Sequence, residues 1–151
     1  MSYSTTGSNK LPVEAQAKMP AGARALMLAG SAGHIAYGLG SLLMPERMVS
    51  AHYAPDTHNL ADPRLLLRAF GGHLLVSGCL ALAATCRPRH ARSAAALCLL
   101  INAFDVTSAV LELRTRGQSD QTVIGGIALS GAGVLAFATV LRALPAGAPS
   151  A

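Results

Sequence analysis

Six residues have the types and spacing for chemistry: His34, Arg68, His73, Asn102, Asp105 and Glu112. Imidazoles donate or accept protons near neutral pH, and a carboxylate serves as a base or steadies a developing cation. His34, His73 and Asp105 are therefore the candidate catalytic groups. Arg68, Asn102 and Glu112 are candidate substrate-binding groups. Asn102, Asp105 and Glu112 lie three and seven residues apart, which puts them on one helical face. His52, Asp56 and His58 match no strong metal-ligand spacing, and the chain carries no G-x-S-x-G, phosphate-loop or dinucleotide fingerprint. Neither a metal nor a cofactor is expected.

The surroundings of these groups are apolar. Hydrophobic residues make up 52% of the 151-residue chain and charged residues 13%, against about a quarter charged in soluble domains. Four runs reach the length of about 20 residues that a bilayer-crossing helix needs: 23–44, 65–86, 91–113 and 122–144. None shows the charged stripe of a soluble bundle helix. The expected fold is an all-α integral membrane protein of one domain, residues 23–144, with four transmembrane helices in an antiparallel bundle. Residues 1–22 read as a flexible cytoplasmic tail and residues 145–151 as a short C-terminal tail. The first run is too long for a secretory signal and lacks a cleavage site.

The net charge of +5 sits in short clusters between the apolar runs, which argues against nucleic acid and for a bilayer as the partner. Lys10, Lys18, Arg24, Arg87, Arg89, Arg92 and Arg142 fall on one side; Arg47, Arg64, Arg114 and Arg116 flank the other. The positive-inside rule then puts both termini in the cytoplasm of a multi-pass protein of the cell membrane. Cys79, Cys86 and Cys98 show no C-x-x-C spacing and read as reduced packing residues. "ADPR" marks Asp62 as an N-cap with Pro63 opening a helix, "CRPRH" breaks the chain, and "PERMVSAHYAP" suggests a short interfacial helix in the long loop. Small residues four apart, such as Ala29/Gly33, Ala36/Gly40, Gly126/Ser130 and Ala128/Ala132/Ala136, allow close helix approach. Packing within one chain is the first expectation for them, and a homo-oligomer contact through Gly126, Ser130 and Ala132 the second.

Counting from the span ends places Asp105, His73 and His34 in one layer, about 12–15 Å below the outer surface. A lone charge at that depth costs at least about 2.5–3.5 kcal/mol. Asp105 must therefore be paired (with Arg68 or a protonated histidine), neutral, or turned toward a wet cavity. The layer is either a polar clasp that fixes helix register or the lining of a site.

Four short spans, "RLLLRAFGGHLLVSG" opening the second and "NAFDVTSAVLELRTRG" closing the third, resemble the small bacterial four-helix membrane proteins of the DoxX-like group and related domain-of-unknown-function families. The resemblance covers about residues 23–144 and rests most on Arg68, Gly71, Gly72 and Asp105. His73 stands where one relative has a second arginine. The resemblance implies fold and location rather than an activity. The function expected is the binding or handling of a lipophilic small molecule through the polar layer. The alternative is an intramembrane acid/base enzyme, such as an isomerase, a cyclase or an epoxide-opening enzyme, on a terpenoid-like substrate.

Overall fold

The computed structural model describes residues 18–52, 63–116 and 121–145. Its described residues form helices and no strand: α1 (Ala21–Leu43), α2 (Pro45–His52), α3 (Pro63–Thr85), α4 (Pro88–Arg116) and α5 (Gln121–Ala143). Four of these are long and apolar enough to cross a membrane. Ala and Leu supply helix propensity within each, and no proline interrupts one after its first turn. Proline instead opens α2, α3 and α4, where its missing N–H has no intrahelical partner to lose.

The expected short helix in the long loop is present as α2, and Pro63 is the first residue of α3. Asp62, its expected cap, lies outside the described residues, as do Asp56 and His58. The "CRPRH" break is shorter than its sequence suggests. Two residues separate α3 from α4, which starts at Pro88 rather than at residue 91 and runs on to Arg116. The last turn of α3 closes with the tighter bonds Cys86 N–H to Ala83 O (3.2 Å) and Arg87 N–H to Ala84 O (3.1 Å), so the chain turns without a long loop.

α1 packs on α3, α3 on α4, α4 on α5, and α5 returns to α1, while α2 lies against α1 and α3. The α1–α3 contact is backbone to backbone. A Cβ on Gly38 would stand 2.7 Å from the Gly71 carbonyl oxygen, and one on Gly78 would stand 2.8 Å from Ile35 Cγ1. Where lipid removes the hydrophobic drive between helices, such close approach supplies the dispersion contact that replaces it. On α5, Phe137 is fully buried and its ring covers Gly30 of α1. Arg92 of α4 donates to the carbonyls of Leu141 and Leu144, both at 3.2 Å, satisfying acceptors that the end of α5 leaves open.

The small residues that make these approaches are not the ones that four-residue spacing singles out. A Cβ on Gly33 or Gly126 would meet nothing within 4 Å, and Ala29, Ala36 and Ala132 are exposed. Spacing identifies a smooth strip but not the direction it faces; the buried strip of α1 is Ala23, Met27, Ser31, His34, Gly38 and Ser41. Cysteine behaves similarly. Cys98 is buried, but Cys79 and Cys86 are exposed free thiols rather than packing residues.

Burial is uneven along the bundle. Around Ala23, Met27, Ala91, Phe137 and Val140 the four helices close on one another. Toward α2 burial thins: Gly125, Gly126, Ala128 and Leu129 of α5 are exposed, and Asp105, Val106 and Ala109 of α4 are only half-buried.

Candidate functional site

At the boundary between the closed and the open part, three helices contribute one polar side chain each. His34 of α1, Ser77 of α3 and Asn102 of α4 are 8%, 2% and 6% exposed. Nδ1 of His34 lies 3.0 Å from Ser77 Oγ, and Nε2 lies 3.0 Å from Asn102 Nδ2. Asn102 Nδ2 is also 2.7 Å from the Cys98 carbonyl oxygen. Only a donor fits there, so the amide orientation is fixed by an acceptor that cannot change.

The remaining hydrogens follow. Asn102 donates to Cys98 O and to His34 Nε2, which leaves the histidine proton on Nδ1. That Nδ1–H donates to Ser77 Oγ, and the Ser77 hydroxyl donates to Leu74 O at 3.0 Å. Cys98 adds a weak thiol donation to Ser77 O at 3.8 Å. Both ring nitrogens of His34 are thus used, and every bond in the relay runs one way. Phe137 closes the layer from α5, its ring 5.7 Å from that of His34 at a tilt of 52°. Gly133 is needed on the same helix, because a Cβ there would collide with the Asn102 carboxamide.

Of the six residues singled out by type, the structure brings together His34 and Asn102. His73 does not join them. It is exposed on α3, and its Nδ1 donates to the Ala69 carbonyl one turn back at 2.8 Å. The layer expected at one depth is therefore two layers. Ser77 and Gly78, not His73, lie beside His34, which leaves His73 about 6 Å nearer α2. Asp105 is likewise one turn beyond Asn102 toward α2, half-buried, with no hydrogen bond or ion pair among the described residues.

Arg68 does not pair with Asp105. It is exposed and lines a pocket of about 440 Å³ at the α1–α2–α3 junction with Leu43, Met44, Pro45, Glu46, Arg47 and Arg64. The side chain of Glu112 lies outside what the structure describes. Residue type alone missed Ser77 and Gly133. A serine and a glycine in Gly/Leu-rich runs carry no signal of their own, although Ser77 is the one hydroxyl in "GGHLLVSG".

No protein-family model matches the chain, and neither a curated protein nor a solved structure does.

Proposed function

We propose that the protein binds a lipophilic small molecule in the part of the bundle nearest α2, with Asp105 as the polar contact for a hydroxyl or amine on that molecule. The observation that carries this reading is the contrast between Asp105 and the layer beneath it. His34, Ser77 and Asn102 satisfy one another, whereas Asp105 sits half-buried in an apolar span with no partner among the described residues. An uncompensated carboxylate in a span costs at least about 2.5 kcal/mol. A donor on a bound molecule offsets that cost.

The acid/base alternative has less support. Proton exchange through His34 requires breaking a relay in which neither ring nitrogen is free, and His73 is turned away from the bundle. In this reading the four helices are antiparallel, as the pairing of Ser41 with Gly71 and of Ile35 with Gly78 supports. The Lys/Arg bias supports both termini in the cytoplasm and α2 on the outer face of the cell membrane. A single engineered thiol at position 119 in a Cys-free background should then label from outside in intact cells; labelling only after permeabilisation reverses the orientation.

The binding proposal is tested by native mass spectrometry of the protein released from mild detergent. Wild type should carry a lipophilic adduct that Asp105→Asn loses while melting at the same temperature. The same set of adducts on wild type and Asp105→Asn, or no adduct on wild type beyond bulk phospholipid, rejects the proposal.

A further inference from the structure

Asp105 has a counterpart on α5. Two contacts set how α4 and α5 lie along each other: Arg92 donates to the carbonyls of Leu141 and Leu144, and a Cβ on Gly133 would meet the Asn102 carboxamide. Going forward along α4 from Arg92 to Asn102 therefore goes back by about as many residues along α5. Three residues beyond Asn102 is Asp105, and three before Gly133 is Ser130. Both belong to inward faces. Asp105 lies seven residues from the buried Cys98 and Ser130 seven from the buried Phe137, two turns along the same side of each helix.

Neither group is satisfied. Each is half-buried, Asp105 has no hydrogen bond or ion pair, and Ser130 has no hydrogen bond among the described residues. By contrast Thr107 and Thr139, exposed on the same two helices, donate to the carbonyls of Ala103 and Leu135 one turn back, both at 2.8 Å. One turn nearer α2 the same register sets Ala109 against Gly126, where an added Cβ would meet nothing within 4 Å. A carboxyl on α4 and a hydroxyl on α5 thus stand together at the head of an open apolar space.

Their chemistry selects among lipophilic molecules. A carboxylate only accepts hydrogen bonds, whereas a serine hydroxyl donates one as well. An alcohol uses both, because its O–H donates to Asp105 while its oxygen accepts from Ser130. An ammonium group offers the Ser130 hydrogen no acceptor and brings a second charge into the span.

We infer that Asp105 and Ser130 together select a lipophilic alcohol, whose hydroxyl lies between them and whose hydrocarbon body fills the space beside Ala109 and Gly126. The inference rests on the reading of Asp105 as the polar contact of a bound molecule, and it narrows that molecule from hydroxyl or amine to hydroxyl.

The test titrates wild type, Ser130→Ala, Ser130→Thr, Asp105→Asn and Ser108→Ala with dodecanol, dodecylamine and dodecane in mild detergent. Ser108 is exposed on α4 and serves as the control hydroxyl. Binding is read from the melting shift and confirmed as an adduct by native mass spectrometry, and melting without probe confirms that the variants fold. Wild type, Ser130→Thr and Ser108→Ala should prefer dodecanol to dodecylamine and ignore dodecane. Ser130→Ala should bind dodecanol about fivefold more weakly, the worth of one neutral hydrogen bond, and bind dodecylamine as wild type does. If Ser130→Ala keeps the preference for dodecanol while Asp105→Asn loses its adduct, the inference falls and Asp105 alone remains the contact. Equal binding by Asp105→Asn and wild type removes the reading beneath it as well. A wild type that favours dodecylamine, answers dodecane as strongly as dodecanol, or binds none of the three also overturns the inference, as does an equal loss in Ser108→Ala.

Discussion

The two ends of the bundle are made from the same residues to opposite effect. At the end built from the start of α1 and the close of α5, Ala23, Met27, Ala91, Phe137 and Val140 are buried to within a few per cent. At the α2 end, glycines and alanines just as small stand open, and the half-buried groups include a carboxylate. Small residues therefore do not create a tight contact by themselves. They permit one where a large partner reaches them, as Phe137 reaches Gly30 and Asn102 reaches Gly133. Where nothing reaches them, as at Gly125 and Gly126, the helix face is left to lipid.

On the proposed function the closed end carries stability and the open end binding, and substitutions can separate the two. Phe137→Ala should have the largest effect, about 3 kcal/mol in detergent unfolding, because a fully buried ring packed on Gly30 and His34 leaves a cavity behind. Gly38→Val should cost about 2 kcal/mol through overpacking, since the groups its side chain meets are the backbone of Gly71 and Leu75 rather than a movable side chain. A double-mutant cycle on His34→Ala and Asn102→Ala should give a coupling of about 0.6–1.7 kcal/mol, the range for side-chain hydrogen bonds between membrane helices. Gly126→Leu and Ala132→Leu should change monomer stability by less than about 0.5 kcal/mol. A large loss at either would mean that the open face is covered, and a change from dimer to monomer in light scattering would identify the cover as a second copy.

The same contrast explains what could be read from residue types. Four spans, the proline-opened helices and the short α2 are legible because they depend on composition and on backbone chemistry that acts locally. Facing is not legible. His34 and His73 both follow glycine in "AGH" and "GGH", yet one is sealed between three helices and the other is bonded to its own α3. A helix that is apolar all round carries no moment to show which side is buried. Without it, counting from the span ends puts His34 and His73 at one depth although they lie a turn apart, and it names no partners. Side-chain length alone makes Arg68 a candidate partner of Asp105, although it lies at the α2 junction, and nothing in the residue types points to Ser77 as the partner of His34.

The central claim is that Asp105 is an unpartnered carboxyl open to lipophilic molecules while the polar layer one turn away is closed. The apolar reagent dicyclohexylcarbodiimide, which modifies protonated carboxyls within membranes, tests this directly when the modified peptide is mapped by mass spectrometry. The account predicts modification at Asp105 in the folded, detergent-purified protein, at a rate slowed by the molecule that Asp105→Asn fails to retain. An Asp105 that stays unmodified in the folded protein and reacts only after unfolding would contradict it.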